Sequence, residues 1–252
     1  VFRPLVRAVV GRGPRLAGCT LAAVLPLVAA ACSPSDRGAG AVPASSTASA
    51  RPPNPVPAAG PAEIDARPRI VALGDSLTAG YGLDPGDAYP TQLQARVDAA
   101  GLDYQVVNMG VSGDTSAGGL RRLDWALEGD VRVLIVALGG NDGLRGLPPE
   151  ELARNLEGIV DYARARGIAV LLCGMEAPPN FGGAYTRAFR EAFVRVARDN
   201  DVVLLPFLLE GIAGVPSLNQ PDGIHPTAEG ARRMADLVWA RLAPMLQGVA
   251  TR

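Results

Sequence analysis

With 252 residues, 48% of them apolar, the chain is long enough for one domain of about 180 residues plus extra segments. A formal net charge of −1 gives no electrostatic footprint for nucleic acid, and no helix-turn-helix, zinc-finger or basic-aromatic pattern is present, so no nucleic-acid partner is expected. All 24 basic residues are Arg, which removes Schiff-base and Ser–Lys chemistry, and the single His, His225, excludes a metal site built from several imidazoles of one chain. Any imidazole base must therefore be His225.

The N-terminal stretch carries Arg3, Arg7, Arg12 and Arg15 and no acidic residue. An apolar run from Leu16 to Ala31 follows, interrupted by Pro26 and short against the roughly 20 residues of a membrane span. A basic region, a short apolar region and small residues at its end describe an export signal over residues 1–31. Its last residues, Ala29-Ala30-Ala31-Cys32, resemble the lipobox of bacterial lipoproteins, although the usual Leu three residues before the Cys is Ala29 here. That resemblance implies a lipid anchor on Cys32 and a protein held at a membrane of the periplasm or cell envelope. Ordinary cleavage after Ala31 implies a soluble secreted protein instead. Residues 32–66 are rich in Ala, Pro, Ser and Gly; they offer too little apolar surface to offset chain entropy and are expected to form a disordered, Pro-stiffened spacer. Of Cys19, Cys32 and Cys173, only Cys173 lies beyond this leader, so no internal disulfide framework is expected.

Residues 67–252 read as the folded domain. Apolar runs suited to buried parallel strands (Ile70–Leu73, Tyr104–Val107, Val131–Leu138, Ile168–Cys173, Val202–Leu205) alternate with amphipathic stretches (Tyr89–Ala100, Ser116–Leu127, Pro149–Arg166, Tyr185–Asn200, Pro226–Leu246). Five βα units in a row predict an α/β fold, a flavodoxin-like three-layer α/β/α sandwich with a five-stranded parallel sheet in the order 2-1-3-4-5. Ligands of such sheets bind outside the carboxyl ends of the strands, so chemistry belongs in the loops there.

The first of these loops is Gly74-Asp75-Ser76-Leu77-Thr78-Ala79-Gly80-Tyr81-Gly82. Ser76 there is a candidate nucleophile, although Asp-Ser after a strand is also an ordinary turn or helix N-cap. The loop is neither a Gly-x-Ser-x-Gly elbow, since Thr78 takes the last Gly position, nor a dinucleotide fingerprint. The second loop, Asn108 to Thr115, contains Gly110, which can present a bare N–H to an anion or serve a tight turn. The third, Gly139-Gly140-Asn141-Asp142, offers Asn141 as a neutral, directional donor for a developing oxyanion, or a turn residue. The last, Asp222-Gly223-Ile224-His225-Pro226, lets a carboxylate accept from one nitrogen of His225 while the other faces outward; Pro226 fits the first turn of the following helix. Asp75 and Asp142 read as supporting or turn carboxylates.

Taken together, the four segments resemble the GDSL, or SGNH, hydrolase superfamily, whose Ser, Gly, Asn and His markers occur in that chain order. The resemblance covers about Arg69 to Leu246 and places the markers at Ser76, Gly110, Asn141 and His225, with Asp222 in the family's Asp-x-x-His pattern. It implies a serine esterase in which Ser76, His225 and Asp222 are catalytic, Ser76, Gly110 and Asn141 bind the oxyanion, and no metal or organic cofactor is needed. The Gly74–Gly82 and Asn108–Thr115 blocks, and Pro178-Pro179-Asn180-Phe181-Gly182 with Tyr185, look like the thioesterase, lysophospholipase and arylesterase branch. That branch implies a small-molecule ester or thioester of a single acyl chain or an aryl alcohol as partner, with the loop Glu176–Tyr185 along the acyl groove. Gly182-Gly183-Ala184 departs from the branch in lacking charged residues. The alternatives are a carbohydrate O-deacetylase of the same superfamily and a lipid-anchored binding protein without turnover.

Overall fold

The computed structural model of the chain describes residues 66–249. The export signal over 1–31, Cys32 and all but the last residue of the spacer lie outside the described residues. Five strands form one parallel sheet: β1 (Arg69–Gly74), β2 (Gln105–Gly110), β3 (Val131–Ala137), β4 (Ala169–Cys173) and β5 (Val203–Leu205). Their order is β2-β1-β3-β4-β5, the expected one. Beyond Arg69 and Arg132 near their starts, the central strands are apolar because both faces are covered; Ile70 to Leu73 and Val133 to Leu138 are all buried.

The helices are α1 (Ser76–Ala79), α2 (Tyr89–Ala99), α3 (Ser116–Arg121), α4 (Leu123–Ala126), α5 (Gly140–Leu144), α6 (Pro149–Arg164), α7 (Gly183–Asp199) and α8 (Ala228–Val249). Helix α2 packs on α8, while α6 packs on α7 and α3, which gives the two outer layers. In α6, Leu152, Leu156, Ile159, Val160 and Ala163 are buried at helical spacing, Pro149 starts the helix, and Glu150 and Glu151 favour its positive end. Phe189 and Phe193 of α7 meet edge to face, 5.7 Å between centroids, fully inside the core. Among the described residues no helix is long and apolar enough to cross a membrane.

Four local expectations are revised. The stretch Ser116–Leu127 is two short helices that meet at Arg122, whose φ of −108° and ψ of 14° leave the helical region. Strand β2 runs on to Gly110, so Asn108–Gly110 belong to the sheet rather than to a loop. Helices α1 and α5, four and five residues long, occupy what the sequence reads as bare loops. Helix α8 begins at Ala228; Pro226 instead forms an isolated antiparallel bridge with Asn219 that closes the loop before the helix.

Candidate active site

Strand β1 ends at Gly74, whose register partners are Gly110 on β2 and Ala137 on β3. The chain then turns into α1. Asp75 caps it by accepting the Leu77 N–H at 3.0 Å, and Gly80, at φ 78°, ends it. A Cβ at Gly74 would lie 1.9 Å from Thr78 Oγ1, so only glycine allows this tight entry. Ser76 is therefore the first residue of a one-turn helix, and its own N–H has no hydrogen-bond acceptor among the described residues.

His225 arrives from the other end of the chain. Its Nε2 lies 3.0 Å from Ser76 Oγ, and its Nδ1 lies 2.7 Å from Asp222 Oδ2. The other carboxylate oxygen, Asp222 Oδ1, accepts the backbone N–H groups of Ile224 (2.9 Å) and His225 (3.0 Å). These hydrogen bonds, the His225 backbone first and its ring second, hold the Asp222 carboxyl down at about 2. The carboxylate thus fixes both the turn and the ring of the same His. Two further residues steady the pair. The Tyr81 ring lies 4.5 Å from the His225 ring, tilted by 37°. The Gln220 side-chain amide donates to Tyr81 O at 2.7 Å and to Pro226 O at 2.9 Å, tying the loop behind Ser76 to the loop that carries His225.

Asn141 stands on α5, next to Ser76. Its Nδ2 donates to Asp114 O at 2.9 Å and, at a longer 3.3 Å, to Asp75 Oδ2. Asp75 is nearly completely buried, and burial raises its carboxyl to about 6. Asp142 is buried as well and accepts from the Ser116 N–H (2.8 Å) and hydroxyl (2.5 Å), which anchors α5 to the start of α3.

Gly110 does not occupy the expected place. It is the last residue of β2, its N–H donates to Asn108 Oδ1 at 2.9 Å, and a Cβ there would sit 2.2 Å from Ala79 N. It is packed behind α1, with its donor already used. Gly113 lies three residues on, in the loop beyond β2. It adopts φ 85°, its carbonyl accepts from Arg145 at 2.9 Å, and the Asp114 carbonyl that holds Asn141 is the next peptide. No hydrogen bond from the Gly113 N–H is present among the described residues. The block Asn108–Thr115 contains two glycines, Gly110 and Gly113, and only the extent of β2 tells them apart.

A cleft of about 430 Å³ opens beside these groups. Asp75, Ser76, Asn141 and His225 form its polar end, and Leu144, Met175, Ala177, Pro178, Phe207, Leu209 and Ile224 form much of its apolar wall. The loop after β4 thus contributes as expected through Glu176–Pro179, whereas Phe181 turns away to pack on Tyr185, 5.2 Å between centroids. Phe207 and Leu209, from the segment after β5, were not legible as groove residues because nothing in their spacing separates them from core. Gln220 was missed for a similar reason: an exposed-looking Gln beside a Pro carries no pattern.

An aligned hydroxyl, imidazole and carboxylate beside an apolar cleft, at the carboxyl edge of a parallel sheet, is the constellation of serine hydrolases. The model of the GDSL-like lipase/acylhydrolase family matches residues 72–233. Esterase TesA of Pseudomonas aeruginosa is 44% identical over 178 residues, 70% of this chain and 89% of that protein. Thioesterase 1/protease 1/lysophospholipase L1 of Escherichia coli is 37% identical over 178 residues, 70% of this chain and 84% of that one. The solved structure of psychrotrophic esterase EstA from Pseudoalteromonas sp., inhibited by monoethylphosphonate, superposes with a TM-score of 0.68 at 34% identity, covering 71% of this chain and 98% of that one. The chain belongs to the GDSL-like lipase/acylhydrolase family, and it is an esterase.

Proposed function

We propose that Ser76 is the nucleophile of a carboxylic ester and thioester hydrolase whose substrates carry a single acyl chain or an aryl leaving group. The observation that carries the reading is the unbroken line Ser76 Oγ–His225 Nε2, His225 Nδ1–Asp222 Oδ2, at 3.0 and 2.7 Å, facing an apolar cleft. His225 takes the proton as Ser76 Oγ attacks the carbonyl carbon and returns it to the leaving alkoxide or thiolate. A water activated by the same imidazole then releases the acid from Ser76. Asp222 stays ionised and fixes the imidazole tautomer. The oxyanion is received by the Ser76 and Gly113 N–H groups and by the Asn141 hydrogen that Asp75 holds loosely at 3.3 Å. Gly113 takes the role that the sequence assigned to Gly110, because the Gly110 donor is engaged inside the sheet. An acyl chain lies along the wall from Leu144 to Phe207.

The basic, then apolar, N-terminal sequence supports export, and Ala29-Ala30-Ala31-Cys32 supports a lipid anchor on Cys32. In this reading residues 32–66 are a spacer and residues 67–252 are the hydrolase domain facing the periplasm or cell exterior.

The test is covalent. Purified protein treated with a fluorophosphonate should carry one label on the peptide containing Ser76, with loss of p-nitrophenyl ester hydrolysis in proportion. Labelling of another residue, or full hydrolysis by Ser76→Ala, overturns the assignment. For the anchor, Cys32→Ser should move the expressed protein from the membrane to the soluble fraction; an unchanged distribution overturns that part.

A further inference from the structure

Most of the polar residues near the cleft are accounted for by the line from Ser76 to Asp222. Arg122 is not. It stands at the break between α3 and α4, its side chain is only 15% exposed, and it takes no part in the cleft lining. Burial of a guanidinium is costly unless its donors are met, and an apolar residue would pack such a site at least as well. Here the donors are met at two places that the reaction depends on. Nε donates to Asp114 Oδ2 at 2.6 Å, and Nη2 donates to the Gly74 carbonyl at 2.9 Å. Nη1 is buried without a protein partner.

Gly74 is two residues before Ser76. Asp114 follows Gly113 directly, and its own carbonyl accepts from Asn141 Nδ2. The Gly74 carbonyl also accepts the Val111 N–H at 3.0 Å, and the Asp114 N–H returns to Val111 O at 3.0 Å. One planar fork therefore bridges the end of the strand that leads to Ser76 and the loop that carries Gly113 and whose Asp114 carbonyl holds Asn141 of α5.

We propose that Arg122, through Asp114, is a positioning residue that sets Gly113 and Asn141 at the distance from Ser76 at which the oxyanion forms. The inference rests on the oxyanion reading given above. It demands a fork: a lysine ammonium at the same site can serve Asp114 or Gly74 but does not hold both in one plane. It also predicts where the effect falls. A shift of about 1 Å in a positioned donor costs up to about 10²-fold in rate while ground-state binding of the acyl chain is untouched.

The experiment is a double-mutant cycle with Arg122→Gln and Asn141→Ala, read as kcat and KM on p-nitrophenyl butyrate and normalised to active sites titrated with a fluorophosphonate. Arg122→Gln should lower kcat about 10- to 100-fold, with KM within about threefold of wild type. Its effect should be several-fold smaller in the Asn141→Ala background, because one of the donors it positions is already gone. Arg122→Lys, which keeps charge and bulk, should share the kcat loss and supplies the same reading if Arg122→Gln does not fold. Wild-type kcat per titrated site in Arg122→Gln or Arg122→Lys overturns the proposal. So do effects that multiply fully in the double variant, the mark of a purely structural staple. An Asn141→Ala variant with wild-type kcat fails the oxyanion reading itself, which is a separate result.

Discussion

At the scale of single residues the chain leaves little redundancy. With one imidazole in 252 residues, no other ring can act as base when His225 is removed. His225→Ala is expected to lower kcat for p-nitrophenyl butyrate by at least about 10³-fold, with the Ser76 hydroxyl still present; a loss under tenfold contradicts the assignment. Asp222 behaves differently because of where its proton goes. Its folded-state value, about 2, lies below that of an unfolded Asp, so its contribution to stability is full above about pH 4 and is lost as pH falls through 2. Asp222 is then ionised across the working range, and loss of activity between pH 4 and 7 does not come from its protonation. Asp222→Asn should lower kcat about 10²- to 10⁴-fold at pH 8 through a wrong tautomer. The melting-temperature offset of Asp222→Asn from wild type should shrink as pH falls from 4 towards 2, where the wild-type carboxyl takes up its proton, whereas an offset already lost above pH 4 would assign the carboxyl a higher value.

At the scale of elements, the one-turn helix α1 carries the proposed nucleophile, Ser76, and is capped by a buried acid. Its cap, Asp75, is buried and raised to about 6. The sign is opposite to that of Asp222: its folded form holds its proton more tightly than the unfolded chain does. Its contribution is fully present below about pH 4 and is lost as pH rises through 6. The unfolding free energy of wild type relative to Asp75→Asn should therefore fall by about 2 kcal/mol from pH 4 to pH 7, measured by urea titration at each pH. A constant difference would mean that Asp75 is not buried as an acid. The same helix explains Gly110. Gly110→Ala would place a methyl 2.2 Å from the Ala79 N, and the backbone of α1 must move to admit it. A destabilisation of about 1–3 kcal/mol from overpacking is expected; at Gly113 nothing but the end of Arg145 is close, and the cost of an alanine there comes from its φ of 85° instead. The order of elements was legible in the sequence because buried parallel strands are nearly all apolar and the helices between them are long and amphipathic. What was not legible follows from length and from partners. Helices α1 and α5 are too short for a periodic pattern. The break at Arg122 depends on acceptors at Gly74 and Asp114, one of them 48 residues away. The placement of Gly110 depends on how far β2 pairs with β1, and Asn108–Gly110 extend the strand with residues that read as a turn. The alignment of Ser76, His225 and Asp222 was legible for the opposite reason. Asp222 and His225 are three residues apart, and the lone His leaves nothing else to choose.

At the scale of the whole molecule, the sheet brings four distant segments to one edge and leaves an apolar trough beside them. The wall of that trough comes from α5 and from the segments that follow β4 and β5, with Leu144 and Ile224 half exposed at its mouth. A groove of this composition has little to offer a sugar hydroxyl, but each methylene it takes from water is worth up to about 0.8 kcal/mol, close to fourfold in kcat/KM. Across p-nitrophenyl acetate, butyrate, hexanoate and octanoate, kcat/KM should therefore climb with chain length and then level off once the chain outgrows the trough. Leu144→Ala and Phe207→Ala should flatten the climb while leaving the acetate rate within a few-fold of wild type, because neither residue touches the reacting atoms in this reading. Acetate as the best ester of the series, together with release of acetate from acetylated sugars, would instead place the carbohydrate portion of the substrate in the cleft and assign the enzyme to deacetylation. The series thus separates the two substrate classes by slope rather than by the presence of activity, which both would draw from Ser76 and His225 in the mechanism proposed above.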